Sequence, residues 1–177
     1  LLHDIGKPYC YTEDERGGHF YGHPAASHKI AEDILSRLKF DNKTRDAILE
    51  LVLYHDVEIK PSKRVARRLL NKLGTERVRQ LIEVRKSDIL GQTNYIQSKR
   101  LYAVDEFAAI VEEIVADQEC FKIKDLAVNG HDILNLGVEG ITVGKVLNHL
   151  LEMVMDEQIE NEHDTLIEEA KVFLKGE

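Results

Sequence analysis

Leu1-Leu2-His3-Asp4-Ile5-Gly6-Lys7-Pro8 opens the chain and sets an imidazole beside a carboxylate, with apolar residues before them and a Gly-Lys pair after. A neutral nitrogen ligand next to an anionic oxygen ligand suits zinc, nickel, iron or manganese better than calcium, which takes oxygen ligands. The octet predicts that His3 and Asp4 stand at the inner end of a helix and hold a divalent ion. Leu1-Leu2 reads as the last turn of an apolar helix. With no initiator Met in front of it, the chain is expected to be a fragment with residues missing upstream.

Further residues lie where they can converge on that dipeptide. His55 comes seven positions after Ile48 and four after Leu51, so it shares the apolar stripe of its helix. Asp88 stands in the same relation to Leu81 and Val84. A carboxylate on an inward face is costly unless it is paired or bound to metal, and this is the strongest argument that spacing alone supplies. His23 precedes Pro24 at the mouth of a helix, from which its ring can reach inward. Each has a plainer use: His55 as a hydrogen-bonded core residue, Asp88 as a buried cap or ion pair. His28 is expected in a surface or supporting role and His19 in solvent. Together with His3-Asp4 the set favours a metal site.

The chain has 177 residues, three prolines, no tryptophan and 43% hydrophobic content. It is long enough for a real core, as one domain or two small ones. Abundant Leu, Ile, Glu, Lys and Arg predict an all-α fold. No apolar run is long enough to span a membrane and no signal peptide is present. Cys10 and Cys120 are far apart, form no metal-type pair and read as reduced thiols of a cytoplasmic protein.

Helical periodicity predicts a loop around Gly17-Gly18, then a helix from Pro24 with Ala26, Ile30, Ile34 and Leu38 inward. A helix capped within 41–44 should run to Tyr54 with Ile48, Leu51 and Val52 inward. Others are expected from Pro61 to Gly74, from Thr75 to about Gly91, and from about Ser98 through Val104, Phe107, Val111 and Val115. Short helices are expected near 131–136, 141–156 and 162–174, with Asn129-Gly130 as a turn or helix entry. No run reads as a sheet. A boundary near residue 120 divides a helical bundle, 1–120, from a small helical tail, 121–177.

The net charge of −8 conceals a basic block. Residues 60–86 hold Lys60, Lys63, Arg64, Arg67, Arg68, Lys72, Arg77, Arg79, Arg85 and Lys86 against Glu76 and Glu83, and the chain after Glu152 is acidic. Such a block suits an anionic partner or a solvated helix face.

The octet, Gly22-His23-Pro24, Tyr54-His55-Asp56 and Asp88 resemble the HD superfamily of metal-dependent phosphohydrolases over residues 1–95. The first histidine of that pattern would fall upstream of Leu1. The tail, with stretches Asp125 to Gly137, Val143 to Asp156 and Asn161 to Leu166, resembles the C-terminal region of bacterial tRNA nucleotidyltransferases and poly(A) polymerases. There an HD domain follows the nucleotidyltransferase head. That head, with its Gly-Ser loop and paired carboxylates, is not in this sequence, so these residues are not expected to add CCA or adenylate.

The resemblance implies a divalent ion (Mn, Ni, Fe, Zn or Mg) held by His3, Asp4 and Asp88. A second ion would lie on His23 and His55, with Asp4 able to bridge. Asp4 and Lys7 would be the catalytic residues, Lys7 meeting charge on the phosphoryl group. The implied substrates are nucleotides, 2′,3′-cyclic phosphates or phosphorylated RNA ends. The rival reading is a non-catalytic portion that binds and positions tRNA, with Lys63, Arg64, Arg67 and Arg68 on phosphates. A third is a stand-alone nucleotide phosphohydrolase that forms a homodimer through Leu147, Leu150, Leu151 and Val154, which ordinary core packing would also use.

Overall fold

The computed structural model describes residues 2–15, 17–91 and 97–176. Its regular structure is eight α-helices and one short two-stranded ribbon among the described residues. The fold is all-α, as the composition predicts. The chain groups into two compact units, interleaved in sequence. One is Leu1–Ile59 with Glu76–Val104, the other Lys60–Thr75 with Asp105–Glu177. Residues 60–75 and 105–120 thus group with the C-terminal helices.

In the first unit, the helix expected to end at the octet would lie at and before Leu1, outside the described residues. Residues 3–6 form a turn, followed by one turn of 3-10 helix, Lys7–Tyr9. The expected loop at 11–20 contains an antiparallel ribbon, β1 (Thr12–Asp14) against β2 (Gly17–His19), with Thr12 opposite His19. Glycines and charged residues hide the alternation that would announce so short a pair.

Helix α1 (His23–Arg37) has Pro24 in its first turn, where a missing N–H costs nothing. Its buried residues are His23, Ser27, Ala31 and Leu35. The inward face is therefore one position off the predicted stripe. Ala26, Ile30 and Ile34 are half-buried and Leu38 is exposed. Counting apolar residues pointed at the flank, because two of the four inward residues are polar. Asp41 caps α2 (Asn42–Tyr54), its Oδ1 accepting from the Thr44 amide at 3.0 Å. Leu49 and Val52 bury against Ala31 and Leu35, with Leu2 and Ile48 alongside. Helix α4 (Thr75–Leu90) buries Val78, Leu81, Ile82 and Ile89.

In the second unit Ser62 caps α3 (Lys63–Leu73) through the Val65 amide at 3.3 Å, and Gly74 ends it. The part of helix α5 (Gln97–Ala116) from Asp105 onward belongs to this unit and buries Phe107, Val111 and Ile114, the last in place of the expected Val115. Asn129 and Asp132 form a reciprocal capping box at the start of α6 (Gly130–Leu134). Helices α7 (Ile141–Met155) and α8 (His163–Gly176) complete the unit. Val146, Leu147, Leu150, Leu151 and Met155 of α7 pack with Ile133, Leu166 and Ala170. Leu147, Leu150 and Leu151, proposed as a dimer seam, are thus closed inside this core, with Val154 packed against it. No helix of the described residues is long and apolar enough to cross a membrane.

Candidate metal centre

The buried polar residues among those described are His23, Ser27 and His55, and all three meet the opening octet. Ser27 Oγ accepts the Gly6 amide at 2.9 Å. A side chain on Gly6 would place its Cβ 2.5 Å from the Ser27 nitrogen and 2.9 Å from Ala26 atoms. Only glycine lets the segment lie this close to α1, and that approach carries Asp4 to the end of α1 and the end of α2. Ser27 was missed in the sequence. Its signal was a small polar residue four positions after His23, on the same helix face.

Three acceptors converge there. His23 Nε2 and His55 Nε2 are 3.1 Å apart, and each is 3.4 Å from Asp4 Oδ1. Both rings have their other nitrogen tied to a backbone carbonyl. His23 Nδ1 donates to Phe20 at 2.9 Å and His55 Nδ1 donates to Val52 at 2.7 Å. A carbonyl only accepts, so the proton of each neutral ring sits on Nδ1 and a lone pair on Nε2 points inward. Asp4 Oδ1 is buried and has no hydrogen-bond partner. Burial pushes the His55 pKa down and outweighs the raising effect of the Val52 carbonyl. An uncharged His55 ring is therefore favoured.

The spacing fits a small cation. Donors about 2.1 Å from an ion lie about 3.0 Å apart at a right angle and about 3.4 Å apart at the tetrahedral angle. The three observed separations fall in that range, and the tied Nδ1 protons are the usual support of a metal-bound histidine.

His3, Asp4 and Asp88 make a second group on the other oxygen. His3 Nε2 is 3.4 Å from Asp4 Oδ2 and 3.6 Å from Asp88 Oδ1, all half-buried. All five residues proposed as metal ligands are thus brought together within the first unit, Asp4 common to both groups. Lys7 joins them, its Nζ 2.6 Å from Asp4 Oδ2. Burial opposes the charge on Asp4, yet the Lys7 hydrogen bond and the fields of His3, Lys7 and His55 hold its carboxyl below the usual range. Arg85, missed as a supporting residue, donates to the His55 carbonyl at 2.8 Å and holds the chain where α2 ends. His28 is half-buried. His19, expected in solvent, is half-buried on the ribbon and 3.0 Å from Asp14 Oδ1.

Residues 23–170 match the family model described as tRNA nucleotidyltransferase domain 2. The chain belongs to the tRNA nucleotidyltransferase domain 2 family. The match includes His23, His55 and Asp88, and it begins after the octet and the ribbon. No solved structure matches the chain.

In this member of the tRNA nucleotidyltransferase domain 2 family the basic block is paired in part within the protein. Its four named cations face carboxylates of their own unit. Lys63 Nζ is 2.8 Å from Glu113 and 2.7 Å from Glu119. Arg64 and Arg68 both hold Asp156 Oδ2, at 2.7 and 2.9 Å. Arg67, largely buried, binds Glu119 at 2.8 Å, Glu157 at 2.8 Å and the Met155 carbonyl at 3.3 Å. Periodicity gave no sign of this, because the acids come from 50 to 92 residues away in sequence. Phosphate contact by these cations would have to displace those carboxylates.

Proposed function

We propose that the first unit is an HD-type, metal-dependent phosphohydrolase module within a tRNA nucleotidyltransferase-family protein. The observation that carries this reading is the buried, partnerless Asp4 Oδ1 facing two Nε2 lone pairs at 3.4 Å. Three acceptors without a donor are unfavourable on their own and favourable around a cation. His23, His55 and Asp4 Oδ1 would hold one divalent ion, and His3, Asp88 and Asp4 Oδ2 a second. Ions so placed supply Lewis acidity, acidifying a water nucleophile and neutralising phosphoryl oxygens.

The protein's own residues do the rest. The carbonyls of Phe20 and Val52 fix both ring orientations, so the site is preorganised. The Ser27–Gly6 hydrogen bond holds the octet against α1. Lys7, half-exposed beside Asp4, offers an ammonium to a phosphoryl oxygen entering from solvent. The substrates that fit are phosphoesters such as nucleotides or 2′,3′-cyclic phosphates. Hydrolysis of 2′,3′-cyclic AMP by the purified chain, assayed with Mn, Ni, Fe, Zn and Mg in turn, tests the reading. It requires turnover that depends on added metal and is lost in Asp4→Ala. Absence of turnover with every metal, or turnover unchanged in Asp4→Ala, contradicts it.

A second reading is favoured by the family match itself. The chain would then be a part of a nucleotidyltransferase that binds and positions tRNA without chemistry of its own. Binding of tRNA that falls steeply with salt supports it. A flat salt response, or no binding, counts against it.

A further inference from the structure

Resting on the phosphohydrolase reading, we infer that the ribbon beside the metal centre is a nucleobase-binding subsite, so that the phosphoester it serves carries a base. The six tyrosines and five phenylalanines of the chain are spread over 177 residues, yet Tyr9, Tyr11, Phe20 and Tyr21 crowd into residues 9–21. Their exposures are 79, 53, 39 and 77%. Single exposed aromatics are ordinary. A cluster around one ribbon and the 3-10 turn before it, next to a polar site, is an unusual use of large apolar rings.

The rings are held rather than loose. Tyr11 and Phe20 stand one position outside the β1–β2 ladder, and their rings meet with centroids 5.5 Å apart. Tyr11 lies over the bare backbone of Gly18. A Cβ there would fall 2.6 Å from Cε2 of the Tyr11 ring, so glycine is what lets the ring settle on the strand. The Tyr11 hydroxyl donates to Glu13 at 3.2 Å. Tyr21 stacks on His19 at 5.1 Å, and His19 is anchored by Asp14 at 3.0 Å. Fixed rings lose little entropy when a second aromatic plane settles on them.

The ribbon is also coupled to the site. Lys7 Nζ lies 2.6 Å from Asp4 Oδ2 and 5.8 Å from the centre of the Phe20 ring. The Phe20 carbonyl takes the His23 Nδ1 proton that fixes the inward lone pair. One residue thus offers a ring to the outside and orients a ligand on the inside. A ligand with its phosphate at Lys7 would reach the Phe20 ring, 5.8 Å away, and the Tyr11 ring packed against it. The chemistry that matches an anion at one end and a flat aromatic face at the other is a nucleotide.

Calorimetric binding of AMP and of ribose 5-phosphate to the Mn-supplied chain tests this, alongside hydrolysis of 2′,3′-cyclic AMP. AMP should bind more tightly. Tyr11→Leu should weaken AMP by about five-fold or more, the low end for one stacked base, and leave ribose 5-phosphate unchanged. Tyr11→Phe should restore AMP binding. Tyr11 is exposed, so loss of the fold is not the expected result of either change. A short oligoadenylate showing the same Tyr11 dependence supports an RNA end as the source of the base, and dependence with AMP alone supports a free nucleotide. Equal affinity for AMP and ribose 5-phosphate, or equal weakening of both by Tyr11→Leu, overturns the subsite even where hydrolysis proceeds. Tyr11-dependent AMP binding without any turnover supports the subsite and overturns the hydrolase reading alone.

Discussion

His23 Nε2 and His55 Nε2 face each other at 3.1 Å while both Nδ1 atoms are already tied to carbonyls. Two lone pairs at that distance, with a carboxylate oxygen 3.4 Å from each, are a local conflict that a cation resolves. Binding should therefore stabilise the fold. At a metal concentration of about 100 times Kd the gain is about 2.7 kcal/mol, which raises Tm by roughly 5–10 °C for a chain of this size. Differential scanning fluorimetry with and without Mn or Ni measures it, and an unchanged Tm with every metal speaks against the site.

Asp4→Asn separates the metal role from the structural one. An asparagine can accept from Lys7 with its oxygen and donate its amide to a histidine Nε2, which removes the conflict. Without metal the variant should match or exceed the wild type in stability. Its metal-dependent rise in Tm should vanish, and turnover should fall at least about 100-fold, the upper range for outer partners of a metal ligand. Loss of stability without metal would show that Asp4 serves the fold.

The close approach at Gly6 makes a structural prediction. With the added Cβ 2.5 Å from a backbone nitrogen, Gly6→Ala must push the octet off α1, at a cost of about 1–3 kcal/mol. Metal affinity should fall with it, because Asp4 moves too. Ser27→Ala leaves the buried Gly6 amide without its acceptor, again about 1–3 kcal/mol. Urea unfolding and metal titration of both variants check this.

Much of this site was legible in the sequence, because its residues violate a pattern. His55 and Asp88 stand on apolar stripes, and the structure brings both to His3 and Asp4. The face of α1 was misread by one position for the same cause: with His23 and Ser27 among its inward residues, apolar counting follows the wrong edge. The helices follow largely from periodicity and from Pro24, the capping signal at 41–44 and Asn129-Gly130. Ser62, which caps α3, was not read in advance, because Pro61 was expected to open that helix. The ribbon did not follow, since three residues a side with two glycines carry no alternation. Nor did the acids opposite the basic block, whose partners are set by tertiary packing.

Those ion pairs predict an acid response. Burial opposes the charge on Glu119, but hydrogen bonds from Lys63 and Arg67 outweigh it and hold its pKa below the ordinary 4.5. A lowered folded pKa means stabilisation that is complete above the unfolded value and is lost as pH falls through the folded one. Urea midpoints should therefore drop below about pH 4.5, the unfolded value. Arg67→Met should lower stability at neutral pH by about 1–3 kcal/mol and flatten that acid loss. An equal acid loss in the variant would remove the Arg67–Glu119 pair as its cause.

Cys120 gives a further check on the second unit. Burial, with the field of Asp125, pushes its thiol up to about 11. It should resist iodoacetamide in the native protein at pH 7–8 and react only on unfolding. Peptide mass spectrometry reads this directly, and rapid native labelling would contradict the buried placement.

Anomalous diffraction from crystals soaked with Mn or Ni tests the central arrangement most directly. A peak is expected bounded by Asp4 Oδ1, His23 Nε2 and His55 Nε2, absent in crystals of Asp4→Ala soaked alike. A featureless map at that point with every metal, or a peak that persists without the Asp4 carboxylate, contradicts it.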